Sequence, residues 1–159
     1  MTKDKLLKRN KSAKVFGRKH VPLPTGHFQI IGCRDFMVGF TKKGGVLVRL
    51  YYPAVDQSKR VEENYLVWPN WLPHENYRKG YGEVGGIRNQ FLLNIFERIS
   101  STEAFIPAVI NAKPLRRSEP FPVVVFSHGL GCCRTSYSAI CLELASHGFV
   151  VAGKTYNKI

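Results

Sequence analysis

The chain has 159 residues, and its 24 Lys and Arg against 11 Asp and Glu give a formal net charge of +13 at pH 7. One domain is the default at this length, and a chain of about 150 residues buries roughly 70% of the surface that its unfolded form exposes. Apolar residues at 44% and aromatics at 12% exclude wholesale disorder, and no run approaches the roughly 20 apolar residues of a membrane-spanning helix.

Residues 1–20 hold eight Lys and Arg and a single acid, Asp4. They read as a basic, structure-poor arm ahead of an ordered domain over 21–159. Such an arm holds phosphates of anionic lipid or nucleic acid by counterion release, and its bland alternative is a solvated leader. Nucleic acid is the minor alternative, because no interleaving of basic and aromatic residues follows. The arm leads into Asn10, Lys11 and Ser12 and not into an apolar stretch, and Thr2 stands where N-myristoylation needs Gly. The expected address is therefore cytoplasmic, with membrane association left open. The 4 Cys, at 33, 132, 133 and 141, lack the spacing of a zinc site and are too sparse for a disulfide scaffold, so free thiols are expected.

After Pro22-Leu23-Pro24-Thr25-Gly26, two apolar runs, 28–40 and 46–52, flank Thr41-Lys42-Lys43-Gly44-Gly45. That pattern predicts a β-hairpin whose second strand stops at Pro53. Gly32 and Arg34-Asp35 predict an irregular or bulged first strand. Breakers dominate 54–86, around Trp68-Pro69-Asn70-Trp71-Leu72-Pro73 and a run of glycines.

In residues 87–99, Ile87, Phe91, Ile95 and Ile99 recur every four residues beside Leu92 and Phe96. This predicts an amphipathic helix, either packed in the core or lying in a lipid interface.

Val123-Val124-Val125-Phe126 is a short continuous apolar run, as in a parallel strand covered on both faces. Ser127-His128-Gly129-Leu130-Gly131 follows, then a helical pattern over 135–147 with Tyr137, Ile140, Cys141 and Leu144 near one face, closed by Gly148. Phe149-Val150-Val151-Ala152 reads as a second buried strand. Together these predict a βαβ unit, so the fold class is α/β, a mixed sheet with an antiparallel hairpin followed by that unit. The loop 128–131 would sit at the carboxyl end of a parallel strand, where open sheets bind ligands, and its glycines free backbone N–H groups for an oxyanion. Taken alone, His-Gly-x-Gly also fits a phosphate loop or a plain turn.

The stretch from Phe121 to Ala152, together with Gly32-Cys33-Arg34-Asp35-Phe36-Met37, Val48-Arg49-Leu50-Tyr51-Tyr52-Pro53, Trp71-Leu72-Pro73 and Tyr77, resembles the platelet-activating-factor acetylhydrolase family. The resemblance covers about 22–152. It implies the N-terminal part of an α/β-hydrolase fold and a calcium-independent serine esterase without cofactor or metal. The substrates it implies are phospholipids carrying short or oxidised sn-2 acyl groups, met at a membrane or lipoprotein surface. By the resemblance Leu130 supplies an oxyanion-hole N–H, with His128, Gly129 and Gly131 shaping its loop. Ile87, Phe91, Leu92, Ile95 and Phe96 would then face lipid.

One departure stands out: no Gly-x-Ser-x-Gly occurs in the 159 residues. The expected nucleophile elbow, acid and base are therefore missing, and the sequence reads as a truncated form without activity of its own. Ser127, Ser136, Ser138 and Ser146 lie near the loop, but none has a Gly-flanked elbow, and the histidines show no matching acid at a useful spacing. The alternative is a non-enzymatic lipid-surface or inhibitory fragment. The open edge left by the last strand, 149–152, would invite aggregation.

Overall fold

The computed structural model describes residues 19–41, 44–55, 68–72, 74, 76, 77, 80, 104–129 and 132–156. These residues form a mixed sheet of β1 (Ile31–Thr41), β2 (Gly44–Pro53), β3 (Val109–Ile110), β4 (Val123–Ser127) and β5 (Val150–Tyr156), with a helix, α1 (Ser138–Ser146), packed against β1, β2 and β5. The spatial order is β3-β1-β2-β5-β4.

β1 and β2 form the predicted hairpin, antiparallel from Ile31↔Pro53 to Val38↔Val46. The irregularity falls elsewhere than expected. Register is continuous past Gly32 and Asp35 and shifts between Val38 and Thr41, where Gly39 has φ 63°. Gly32 meets a demand for space, since a Cβ there would lie 2.4 Å from Cε2 of the Tyr52 ring stacked across the ladder.

β4, α1 and β5 make the predicted βαβ unit, with β4 parallel to β5. α1 is shorter than the sequence pattern suggests and ends in a Schellman turn. Gly148 N–H donates to Ala145 O at 3.0 Å and Phe149 N–H to Leu144 O at 3.2 Å, with Gly148 at φ 93°. Cys141, Leu142 and Ala145 of α1 enter the core with Ile31, Cys33, Tyr51, Ile106, Ala108 and Val151. Ile140 faces the other way and is 48% exposed, so the inward stripe runs through Ser138, Cys141, Leu142 and Ala145 and not through Ile140.

Two further expectations are corrected. β5 extends to Tyr156 and lies between β2 and β4, paired antiparallel with the first and parallel with the second. The edges of the described sheet are therefore β3 and β4, not β5. Nor is β4 covered on both faces: Val124 and Phe126 pack towards the core, while Val123 and Val125 are 66% and 70% exposed. A run of apolar residues does not by itself say how many faces are covered.

The chain ahead of β1 is strapped to the end of α1. Thr25 N–H and hydroxyl both donate to the Glu143 carboxylate, Gly26 N–H donates to Ser146 Oγ at 3.0 Å, and Phe28 N–H donates to Ser146 O at 3.0 Å. Gly26 is obligatory, because a Cβ there would lie 2.2 Å from Ser146 O.

Candidate functional site

His128 and Gly129 follow Ser127 directly, at the carboxyl end of β4 and ahead of α1. This is the place where an open α/β sheet presents a loop to a ligand. The Gly129 carbonyl receives two donors, His128 Nδ1–H at 2.8 Å and Cys132 N–H at 3.3 Å. With its proton on Nδ1, the ring leaves Nε2 as an acceptor, and that atom is buried without a partner. His128 is thus a loop-bracing side chain. Leu130 and Gly131 lie outside the described residues, as do Ile87, Phe91, Leu92, Ile95 and Phe96.

Beyond the loop, Cys133 N–H donates to Ser136 Oγ at 2.9 Å, and Ser136 N–H to Cys133 O at 3.0 Å, a compact turn leading into α1. The ring of Tyr137 packs on Phe126 at 5.2 Å between centroids.

Sequence reasoning missed an ionic cluster beside this turn, two buried arginines on an Asp35 carboxylate whose side chain is 32% exposed. Asp35, Arg49 and Gly153 occupy one row across β1, β2 and β5. Arg49 binds Asp35 through Nε–Oδ1 at 2.6 Å and Nη2–Oδ2 at 2.8 Å, and Arg134 Nη2 reaches Oδ2 at 2.9 Å. Both arginine side chains are only 7% exposed. Burial alone would raise the Asp35 pKa, but the hydrogen bonds from Arg49 and Arg134 outweigh it and hold the carboxyl below its ordinary range. The signal available in the sequence was a charged residue on the same strand face as a core residue in each strand, Asp35 two residues from Cys33 and Arg49 two from Tyr51.

Of the candidate serines, Ser138 and Ser146 serve structure. Ser138 Oγ lies 2.8 Å from Tyr51 OH and donates to Thr135 O at 2.6 Å. Ser146 Oγ donates to Glu143 O at 2.7 Å while accepting from Gly26 N–H. One histidine does find an acid, contrary to the sequence expectation: His147 Nε2 lies 3.0 Å from Glu143 Oε1, one helical turn apart. That pair holds Thr25 and not a serine hydroxyl, so no Ser-His-acid relay forms among these groups. Among the described residues no group of three or more His, Cys, Asp or Glu could hold a metal, and no helix is long and apolar enough to cross a membrane.

The sequence model of the family described as platelet-activating factor acetylhydrolase, isoform II, matches residues 13–157. A platelet-activating factor acetylhydrolase of Cavia porcellus is 39% identical over 139 residues, covering 86% of this chain and 29% of that protein. The Bos taurus counterpart is 38% identical over 136 residues, covering 86% of this chain and 28% of its own. The chain thus spans under a third of the length of these curated relatives. In fold it is similar to a ferulic acid esterase from Streptomyces cinnamoneus, with TM-score 0.59 and 21% identity over 87% of this chain and 36% of that one. The strand order, the βαβ unit with its loop at the tip of β4 and the match over 13–157 agree, and the chain belongs to the platelet-activating factor acetylhydrolase, isoform II, family as a partial α/β-hydrolase fold.

Proposed function

We propose that this chain is the oxyanion-binding part of a phospholipid esterase, a 1-alkyl-2-acetylglycerophosphocholine esterase that removes short or oxidised sn-2 acyl groups. The observation carrying the reading is the position of His128 and Gly129 at the carboxyl end of β4, on the connection that leads to α1. There a backbone N–H, assigned to Leu130, would meet the negative oxygen that forms when a serine attacks the ester carbonyl. The acyl group passes to the serine, the lysophospholipid leaves, and water releases the short acid.

The 159 residues hold no Gly-x-Ser-x-Gly elbow, and removing a serine triad costs on the order of a millionfold in turnover. The chain by itself is therefore proposed to be inactive. The experiment measures hydrolysis of a short-chain sn-2 ester phospholipid by two proteins. One is the purified 159-residue chain, and the other is a chimaera in which this chain replaces the matched stretch of the Cavia porcellus relative. Turnover by the chimaera alone supports the reading; an inactive chimaera, or fluorophosphonate-sensitive turnover by the short chain, sinks it.

Contact with a membrane or lipoprotein surface belongs to the same proposal, supported by the spacing of Ile87, Phe91, Leu92, Ile95 and Phe96. Co-sedimentation with anionic liposomes that is lost on Phe91→Asp is the expected result.

A further inference from the structure

Arg134 stands where the turn after β4 winds into α1, and it is held by backbone and side chain alike. Its N–H donates to Thr155 Oγ1 on β5. Its carbonyl lies against Gly153, where a Cβ would come within 3.1 Å of it. The guanidinium reaches Asp35 on β1 at 2.9 Å and Tyr77 OH at 3.3 Å. One residue thus joins β1, β5, the segment at Tyr77 and the start of α1.

Charge balance argues against stability as its purpose. Arg49 alone already matches Asp35 at two points. Arg134 adds a second buried cation to a neutral pair, and Arg134 Nε and Arg49 Nη1 are left buried without partners. A buried ionic group of this kind is often no better for stability than an apolar side chain of similar volume. What a planar, many-pronged guanidinium supplies is fixed geometry.

We infer that Arg134 is a positioning residue, a strut that fixes the loop between β4 and α1 against β1 and β5. Its catalytic consequence rests on the esterase reading above. With the strut removed, the loop keeps its sequence and its place at the strand tip but loses its fixed distance from the sheet. An oxyanion donor displaced by about an ångström loses transition-state stabilisation, on the order of 10²-fold in rate, while ground-state binding changes little.

Arg134→Met is the informative substitution because it leaves Arg49 and Asp35 as a neutral pair. Two readouts are taken, with Arg134→Lys as the conservative comparison. In the 159-residue protein, the Cys132 and Cys133 amides should exchange with solvent at least about tenfold faster in R134M, while β1 and β2 amides keep their protection. In the chimaera with the Cavia porcellus relative, kcat for a short-chain sn-2 ester should fall about 10²-fold with KM little changed, and R134K should recover part of the loss. Either readout left unchanged in an active chimaera overturns the inference. Global unfolding of R134M overturns it too, since that would make Arg134 a stability element. A wild-type chimaera without turnover sinks the esterase reading instead, and exchange alone then decides whether Arg134 is a strut.

Discussion

Arg49 and Asp35, directly opposed in the β1–β2 ladder, form a two-point ion pair with contacts of 2.6 and 2.8 Å. Asp35 carries the negative charge for two buried cations, so it is the member whose loss hurts most. Asp35→Leu leaves both arginines buried without a counter-charge and should destabilise the fold by about 3–5 kcal/mol, read from the midpoint of urea unfolding. Thermal unfolding of R134M, by contrast, should stay close to wild type.

The same pair sets the acid limit. Burial would push Asp35 and Glu143 upward, but hydrogen bonds to Arg49 and Arg134 in the first case, and from Thr25 and His147 in the second, leave both carboxyls below their ordinary values. A depressed folded pKa contributes stability that is present above the unfolded pKa and is lost as pH falls through the folded one. Stability should therefore hold above about pH 5 and decline below about pH 4. Urea titrations across that range should show a shallower decline for Glu143→Gln than for wild type.

Gly26→Ala tests the strap over α1. The new methyl would collide with the Ser146 carbonyl, so the segment must lift and release the bonds from Thr25, Gly26 and Phe28. A cost of about 2–3 kcal/mol, high in the range for a point substitution, should appear as a lower Tm and earlier proteolysis between residues 22 and 28.

Thiol reactivity should separate the four cysteines. Burial pushes the Cys33 thiol up to about 11 and the Cys141 thiol up to about 12. Cys133 is buried beside Thr135 Oγ1 at 3.1 Å, and Cys132 is only partly covered. An aromatic disulfide reagent should therefore titrate one thiol rapidly in the native protein and 4 after denaturation. Two or more fast native thiols would contradict the burial of Cys33, Cys133 and Cys141.

Val125→Lys addresses the open side of β4. The side chain is already 70% exposed, so stability should change by no more than about 0.5 kcal/mol. Self-association should fall, because a charge on an edge strand opposes pairing with a second copy. Light scattering against protein concentration checks this.

How much of this was legible in the sequence follows the range of the interactions. The hairpin was, because Lys43-Gly44-Gly45 between apolar runs is local turn chemistry, and so was the βαβ unit with its loop, because Gly148 and the two apolar runs mark its limits. Strand order was not. Nothing near residue 150 says that β5 slots between β2 and β4, so the sequence points to β5 as an open edge where the described sheet ends on β4 and β3. The ionic cluster was hidden for the same reason: Asp35 meets Arg49 14 residues away and Arg134 99 residues away. Gly153, which makes room for the Arg134 carbonyl, looked like the end of a strand and lies inside one.

The place of β5 between β2 and β4 also bears on how the molecule is made. The β1–β2 hairpin has its turn within itself and is free to zip while synthesis continues, whereas among the described strands β4 pairs with β5 alone and so waits for residues 150–156. Until then its valines stand bare on a nascent chain, and the β2–β5 pairing, which joins residues about a hundred positions apart, has yet to form. Residues 150–156 act as a keystone, tying β4 on one side to the hairpin strand β2 on the other.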